Sequence, residues 1–208
     1  MKIRDAFIIM LICAVSAMLN GCATSQPSKF YVLNALEDHQ KAGTQACRDS
    51  RIIGIGITPV DMPKYLDRPQ IMTRVNGNEL NLSEFHLWAE PLKSSVSRIL
   101  VHNLSALLCA TVEIYPWAGS ERLDYRVSAT VIRLDGTPGG QAFLDAQWAI
   151  FDDHSKKLLV TKESRFNEPV GSNSYEALVS AYSRALASLS REIADAFTAA
   201  AKDRDREE

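Results

Sequence analysis

Four cysteines and four histidines are the side chains of widest chemical reach in this sequence. A histidine becomes a metal ligand or a catalytic base only when a second group stands at the right spacing. His39, His86, His102 and His154 are scattered, and no His-Glu-x-x-His pair occurs. No Gly-x-Ser-x-Gly elbow presents a nucleophile. Gly54-Ile55-Gly56 is too short for a dinucleotide fingerprint, and Thr58-Pro59 stands where a phosphate-binding helix would begin. Asp152, Asp153 and His154 can be drawn as an acid–base cluster, but their residue types suit a polar hairpin turn better. Asp67, Arg68 and Arg74 either bind an acidic head group or are solvated or locally ion-paired. No Cys-x-x-Cys is present, so the sequence implies neither a metal nor a cofactor.

Chemistry of another kind is written at the N-terminus. Lys2 and Arg4 precede an almost unbroken apolar run from Ala6 to Leu19. That run falls short of the about 20 apolar residues of a membrane-spanning helix, and has the charge order of a secretory signal. It ends in Leu19-Asn20-Gly21-Cys22. This resembles a bacterial lipoprotein signal, in which the cysteine thiol is acylated and the chain is cut just before it. Asn20 departs from the small or apolar residue common at its place. The alternative is an ordinary secretory signal with Cys22 incidental. On the lipoprotein reading residues 1–21 are a signal peptide and Cys22 carries the lipid. Ala23 then favours the outer membrane, since Asp is the usual inner-membrane retention residue there. Each buried CH₂ contributes about 0.8 kcal/mol and stable anchoring takes more than one chain, so a triacylated cysteine holds firmly. Cys13 leaves with the signal. Cys47 and Cys109 remain, an even pair in an oxidising compartment, either joined in a disulfide or both free.

The rest of the chain must position whatever it binds. Its 208 residues suit one domain plus tails. A hydrophobic fraction of 46% is enough for a real core, and a net charge of −2 gives no basic field to attract nucleic acid. Residues 22–29 are small and polar, a tether. "KFYVLNAL" reads as a strand, 37–50 as a loop, and 51–58 as a buried strand ended by Pro59 and Pro63. "RPQIMTRVNGNELNL" reads as a hairpin whose Asn76-Gly77 supplies positive-φ turn residues. Leu92, Val96, Ile99, Leu100, Leu104 and Leu107 form an apolar stripe that predicts a helix over 90–108, with Pro91 in its first turn. Strands follow at "CATVEIYPW", "LDYRVSATVIRLDG", "QAFLDAQWAIFDD" and "KKLLVTKESRFN". Leu178, Tyr182, Ala185, Leu189, Ile193, Ala196 and Ala200 mark a second helix, with Asn173 and Glu176 as its N-terminal cap. Residues 201–208 read as a charged, disordered tail. Each helix has one apolar face and must cover a sheet. The expectation is an α/β fold: one three-layer domain at 30–200, a mixed β-sheet covered by two long amphipathic helices.

Several short motifs resemble one family. They are Pro59-Val60, Pro63-Lys64-Tyr65-Leu66, Trp88-Ala89-Glu90-Pro91-Leu92 and Asn103-Leu104. Together with the lipoprotein start and the closing helix, they resemble the PqiC/YmbA group of ABC-type transport auxiliary lipoproteins. The resemblance implies a lipid-anchored protein of the outer membrane, facing the periplasm, without a catalytic role. It implies a homo-oligomeric ring, with eight subunits reported in the family. It also implies a periplasm-spanning MCE-domain partner (PqiB-like) with its inner-membrane partner, in a system moving lipids between membranes. A closed ring of identical subunits needs heterologous contacts, which want exposed aromatic or apolar anchors. Tyr65, Leu66 and Trp88, in or beside turns, are the candidates, although Trp88 also suits a hydrophobic plug at a helix start. Competing readings are a lipoprotein regulator of another cell-envelope machine, such as a cell-wall synthase, and an envelope hydrolase. The hydrolase would need a polar cleft around His86 or His154.

Overall fold

A computed structural model describes residues 26–36, 53–108, 110–117 and 123–207. The elements in chain order are β1 (Lys29–Tyr31), β2 (Ile53–Ile57), β3 (Gln70–Arg74), β4 (Leu80–Trp88), α1 (Leu92–Leu107), β5 (Ala110–Ile114), β6 (Tyr125–Gly136), β7 (Gln141–Asp152), β8 (Leu158–Pro169) and α2 (Tyr175–Glu207). The fold is mixed α/β, as the alternation of periods requires. The strands divide between two sheets rather than forming one: a three-stranded sheet in the order β1-β4-β3 and a five-stranded sheet in the order β5-β2-β6-β7-β8. The division follows from long-range pairing. β1 runs parallel to β4, and β2 runs parallel to both β5 and β6. The antiparallel pairs β3–β4, β6–β7 and β7–β8 are the local hairpins that turn residues announce.

The core lies between the five-stranded sheet and the helices. Ala142, Leu144, Ala146, Trp148 and Ile150 of β7 alternate into it, the period-two pattern of a strand with one buried face. α1 packs on β5, α2 on β7 and β8, and the two helices on each other. Val96, Ile99, Leu100 and Leu104 of α1 and Leu178, Tyr182, Ala185, Leu189 and Ile193 of α2 are all buried. The opposite sheet face carries the exposed Gln147, Glu163 and Arg165 and faces solvent, as antiparallel sheets commonly do. Among the described residues no helix is long and apolar enough to cross a membrane.

Local chemistry differs from expectation at four places. The β3–β4 connection spans 75–79 and is closed by Val75 N–H to the Glu79 carbonyl at 3.0 Å. The Asn76 side chain accepts from the backbone N–H of Asn78 and Glu79, and Gly77 does not adopt a left-handed φ. An asparagine side chain here does the work that positive-φ residues do in a two-residue turn. Pro91 stands at the N-cap of α1, one place before the first helical residue. Ser174, not Asn173, caps α2: its Oγ accepts from Ala177 N–H at 3.1 Å. α2 continues to Glu207 through the expected tail, which contains no glycine or proline to stop it. The turn at 152–155 is as expected, with Asp152 Oδ1 accepting from the N–H groups of His154 and Ser155 at 2.9 and 2.7 Å.

Candidate functional site

The short motifs build joints between elements. Trp88 ends β4, and its N–H reaches the Pro69 carbonyl at 2.6 Å, while Ala89 N–H reaches the Tyr31 carbonyl at 2.9 Å. Glu90 then accepts from Ser95 Oγ at 2.7 Å and from Arg98 Nη2 at 2.5 Å. The Ser95 hydroxyl, with Arg98 beside it, holds the Glu90 carboxyl below its ordinary range. Trp-Ala-Glu-Pro-Leu is therefore a rigid strand-to-helix elbow. Trp88 is buried at 6% exposure, its ring 6.3 Å from that of Tyr182.

Leu66 is likewise in the core at 2% exposure, placed there by a turn in which its N–H bonds the Pro63 carbonyl at 2.9 Å. Leu66 and Trp88 are thus interior supports in the single chain and not exposed anchors: a large apolar side chain beside a proline-bounded turn finds the core when the turn points inward. Tyr65 is half-buried. Burial raises its phenol, and so does the charge of Asp135, against Arg74 and Arg133.

Asp135 is the centre of that group and is fully buried. Arg74 Nη2 lies 2.5 Å from its Oδ2 and Arg133 Nη2 2.8 Å from its Oδ1. Burial raises the carboxyl, but the hydrogen bonds from Arg74 and Arg133 outweigh it and hold Asp135 below the usual range. Arg74 also donates to the Gly77 carbonyl at 2.9 Å, so one guanidinium ties the β3–β4 hairpin tip to β6. Arg74 is ion-paired, but with Asp135, 61 residues away, rather than with a local partner. Asp67 and Arg68 are exposed. Sequence reasoning missed Asp135 because its partner Arg74 lies 61 residues away on another strand.

A second joint holds the N-terminal segment. Asn103, fully buried on α1, accepts from Leu36 N–H at 2.8 Å and donates to Ser190 Oγ on α2 at 3.0 Å. Asn34 N–H bonds Ser183 Oγ at 3.1 Å. The motif asparagine thus clamps the start of the domain to both helices.

Among the described residues, His86 and His154 meet different partners. His86 Nδ1 lies 2.6 Å from the Tyr31 hydroxyl, and its ring stacks on Tyr175 at 3.9 Å between centroids. Burial, then Lys29, lowers its basicity. His154 Nε2 lies 3.3 Å from Asp124 Oδ1, and the other Asp124 oxygen accepts from Gly54 N–H at 2.9 Å. Asp153 pairs with Lys156 at 3.0 Å. These contacts fasten a turn to β2. A groove of about 470 Å³ beside α2 is lined by Asn34, Leu36, Glu168, Ser180 and Arg184 among others, with neither histidine in its wall. Among the described residues no three His, Cys, Asp or Glu side chains gather to hold a metal ion. Cys22, Cys47 and Cys109 lie outside the described residues, as does the tether up to residue 25.

This mixed α/β arrangement of two sheets and two helices is shared with solved structures. An uncharacterized protein is 19% identical with a TM-score of 0.67, over 82% of this chain and 98% of the other. A Xanthomonas campestris protein is 13% identical with a TM-score of 0.66, over 86% and 99%. A hypothetical protein of Chlamydia trachomatis is 10% identical with a TM-score of 0.50, over 69% and 96%. At these identities the likeness is one of fold. No curated protein matches the sequence. The chain belongs to the ABC-type transport auxiliary lipoprotein component family, whose sequence profile matches residues 31–194. It is thus an auxiliary lipoprotein of ABC-type transport, from a family not known for enzymes.

Proposed function

We propose that this protein is a PqiC-like outer-membrane lipoprotein, acylated at Cys22 and facing the periplasm. There it forms a homo-oligomeric ring, of eight subunits by the family resemblance. The ring docks a periplasm-spanning MCE-domain protein and, through it, an inner-membrane partner in intermembrane lipid transport. The observation that carries this reading is the family match over residues 31–194 directly behind a lipoprotein-type cysteine and a short polar tether. The joints around Asp135 and Asn103 support it as well, because they spend the chain's buried polar groups on rigidity. A docking piece needs a fixed surface more than a moving cleft. Tyr65 is the anchor of the original three that keeps part of its side chain at the surface. Beneath the surface Tyr65 packs against the hydrophobic core, to which Leu66 and Trp88 belong.

A ring requires head-to-tail contacts between copies. Native mass spectrometry of the detergent-extracted, acylated protein tests this. The reading expects a closed assembly of several copies that Tyr65→Ser weakens. A monomer at micromolar concentration would refute it.

A further inference from the structure

β1 is an edge strand with an unusual division of its side chains. Tyr31 and Leu33 turn inward: Tyr31 meets His86, and Leu33 is 1% exposed. Phe30 and Val32 turn outward and are 66% and 48% exposed. Leu87, the register partner of Phe30 on β4, is half-buried beside them. A single exposed apolar residue is ordinary. Here Phe30 in β1 and Val32 just after it are both turned to the surface, and the backbone that presents them is fixed. Tyr31 accepts from Ala89 N–H at 2.9 Å, and Asn34 and Leu36 are held by Ser183 and Asn103.

The position of this patch along the chain says what it meets. Phe30 follows Cys22 by only eight residues. Whatever path they take, eight residues reach no further than about 29 Å. Once Cys22 is in the bilayer, the patch is confined to a thin shell above the head groups. The second contact is then intramolecular, at the millimolar effective concentration of a short linker. β1 is too short to offer another chain more than a few ladder bonds, whereas an interfacial contact needs only apolar area at the boundary of head groups and acyl chains.

We infer that the outer face of β1 and of the residue that follows it, through Phe30 and Val32, seats on the phospholipid surface that holds the anchor. The domain is thereby oriented, with β1 toward the membrane, rather than swinging freely on its tether. This rests on acylation at Cys22.

The test uses the full-length protein in intact cells, with p-benzoylphenylalanine replacing Phe30 or, as a control, Ile132 of β6, which is 43% exposed. After irradiation, adducts are identified by mass spectrometry, and the N-terminal peptide is weighed for acyl chains on Cys22. The inference expects phospholipid adducts at position 30 at least fivefold above position 132. It also expects Cys22→Ser to bring them down to the control level. An acylated Cys22 with adducts at position 30 only to a second copy or another protein overturns the inference and leaves the anchor standing. An unmodified Cys22 overturns both.

Discussion

At the scale of single residues, the fold depends on a few buried polar groups rather than on any reactive one. Asp135 is the sharpest case. Its charge is taken out of water and repaid by two guanidiniums, so removing it is costly even though the pair itself is no guarantee of net stability. Asp135→Asn is expected to lose about 3 kcal/mol at pH 7, measured by urea unfolding. The sign with pH follows from the depressed carboxyl. The unfolded chain titrates near the ordinary value of about 3.9, so the stabilisation is complete above that pH and is lost as pH falls through the folded-state value. The gap between wild type and variant should therefore narrow below about pH 4. An equal gap at pH 7 and pH 3 would contradict the ion-pair account. None of this was legible beforehand. Asp135 sits in an alternating strand, and what makes it a buried hub is a guanidinium from 61 residues away, joined by that of Arg133.

At the scale of elements, sequence periodicity was a good guide to elements and local hairpins, and long-range pairing was not legible. The apolar stripe from Leu92 to Leu107 matches α1, and the alternation through Tyr125, Val127, Ala129 and Val131 matches the inner face of β6. The division into two sheets stayed hidden because it depends on partners far apart, such as Phe30 with Leu87. Capping was legible to within one residue, since Asn173 and Ser174 are both good cap types and only backbone direction chooses between them. One hairpin carries a steric condition that the sequence states only as a glycine. A Cβ on Gly136 would stand 2.5 Å from the Gln141 carbonyl oxygen and 2.9 Å from Ala142 Cα. Both are backbone atoms of the paired strand, so relief requires parting β6 from β7. Gly136→Ala should cost about 2 kcal/mol and lower Tm by about 4–8 °C. Gly77→Ala, which enters open space, should leave Tm unchanged. Equal melting of the two variants would remove the steric argument.

At the scale of the whole molecule, the protein is a braced domain behind a short lead. The motifs that resemble the PqiC/YmbA group turned out to mark its internal joints, which is why Leu66 and Trp88 are core residues while Phe30 and Val32, hidden in an apolar-looking strand, are exposed. Anchoring is a property of Cys22 in the functional proposal. Cys22→Ser should move the mature protein from the membrane fraction to the soluble periplasmic fraction. Retention at the wild-type level would reject the acyl anchor. The central claim is that the anchored domain works by gripping a transport partner, and it is tested most directly by protein crosslinking in intact cells followed by mass spectrometry of what the protein holds. The account predicts an MCE-domain protein among the captured species; capture of a cell-wall synthase alone would contradict it.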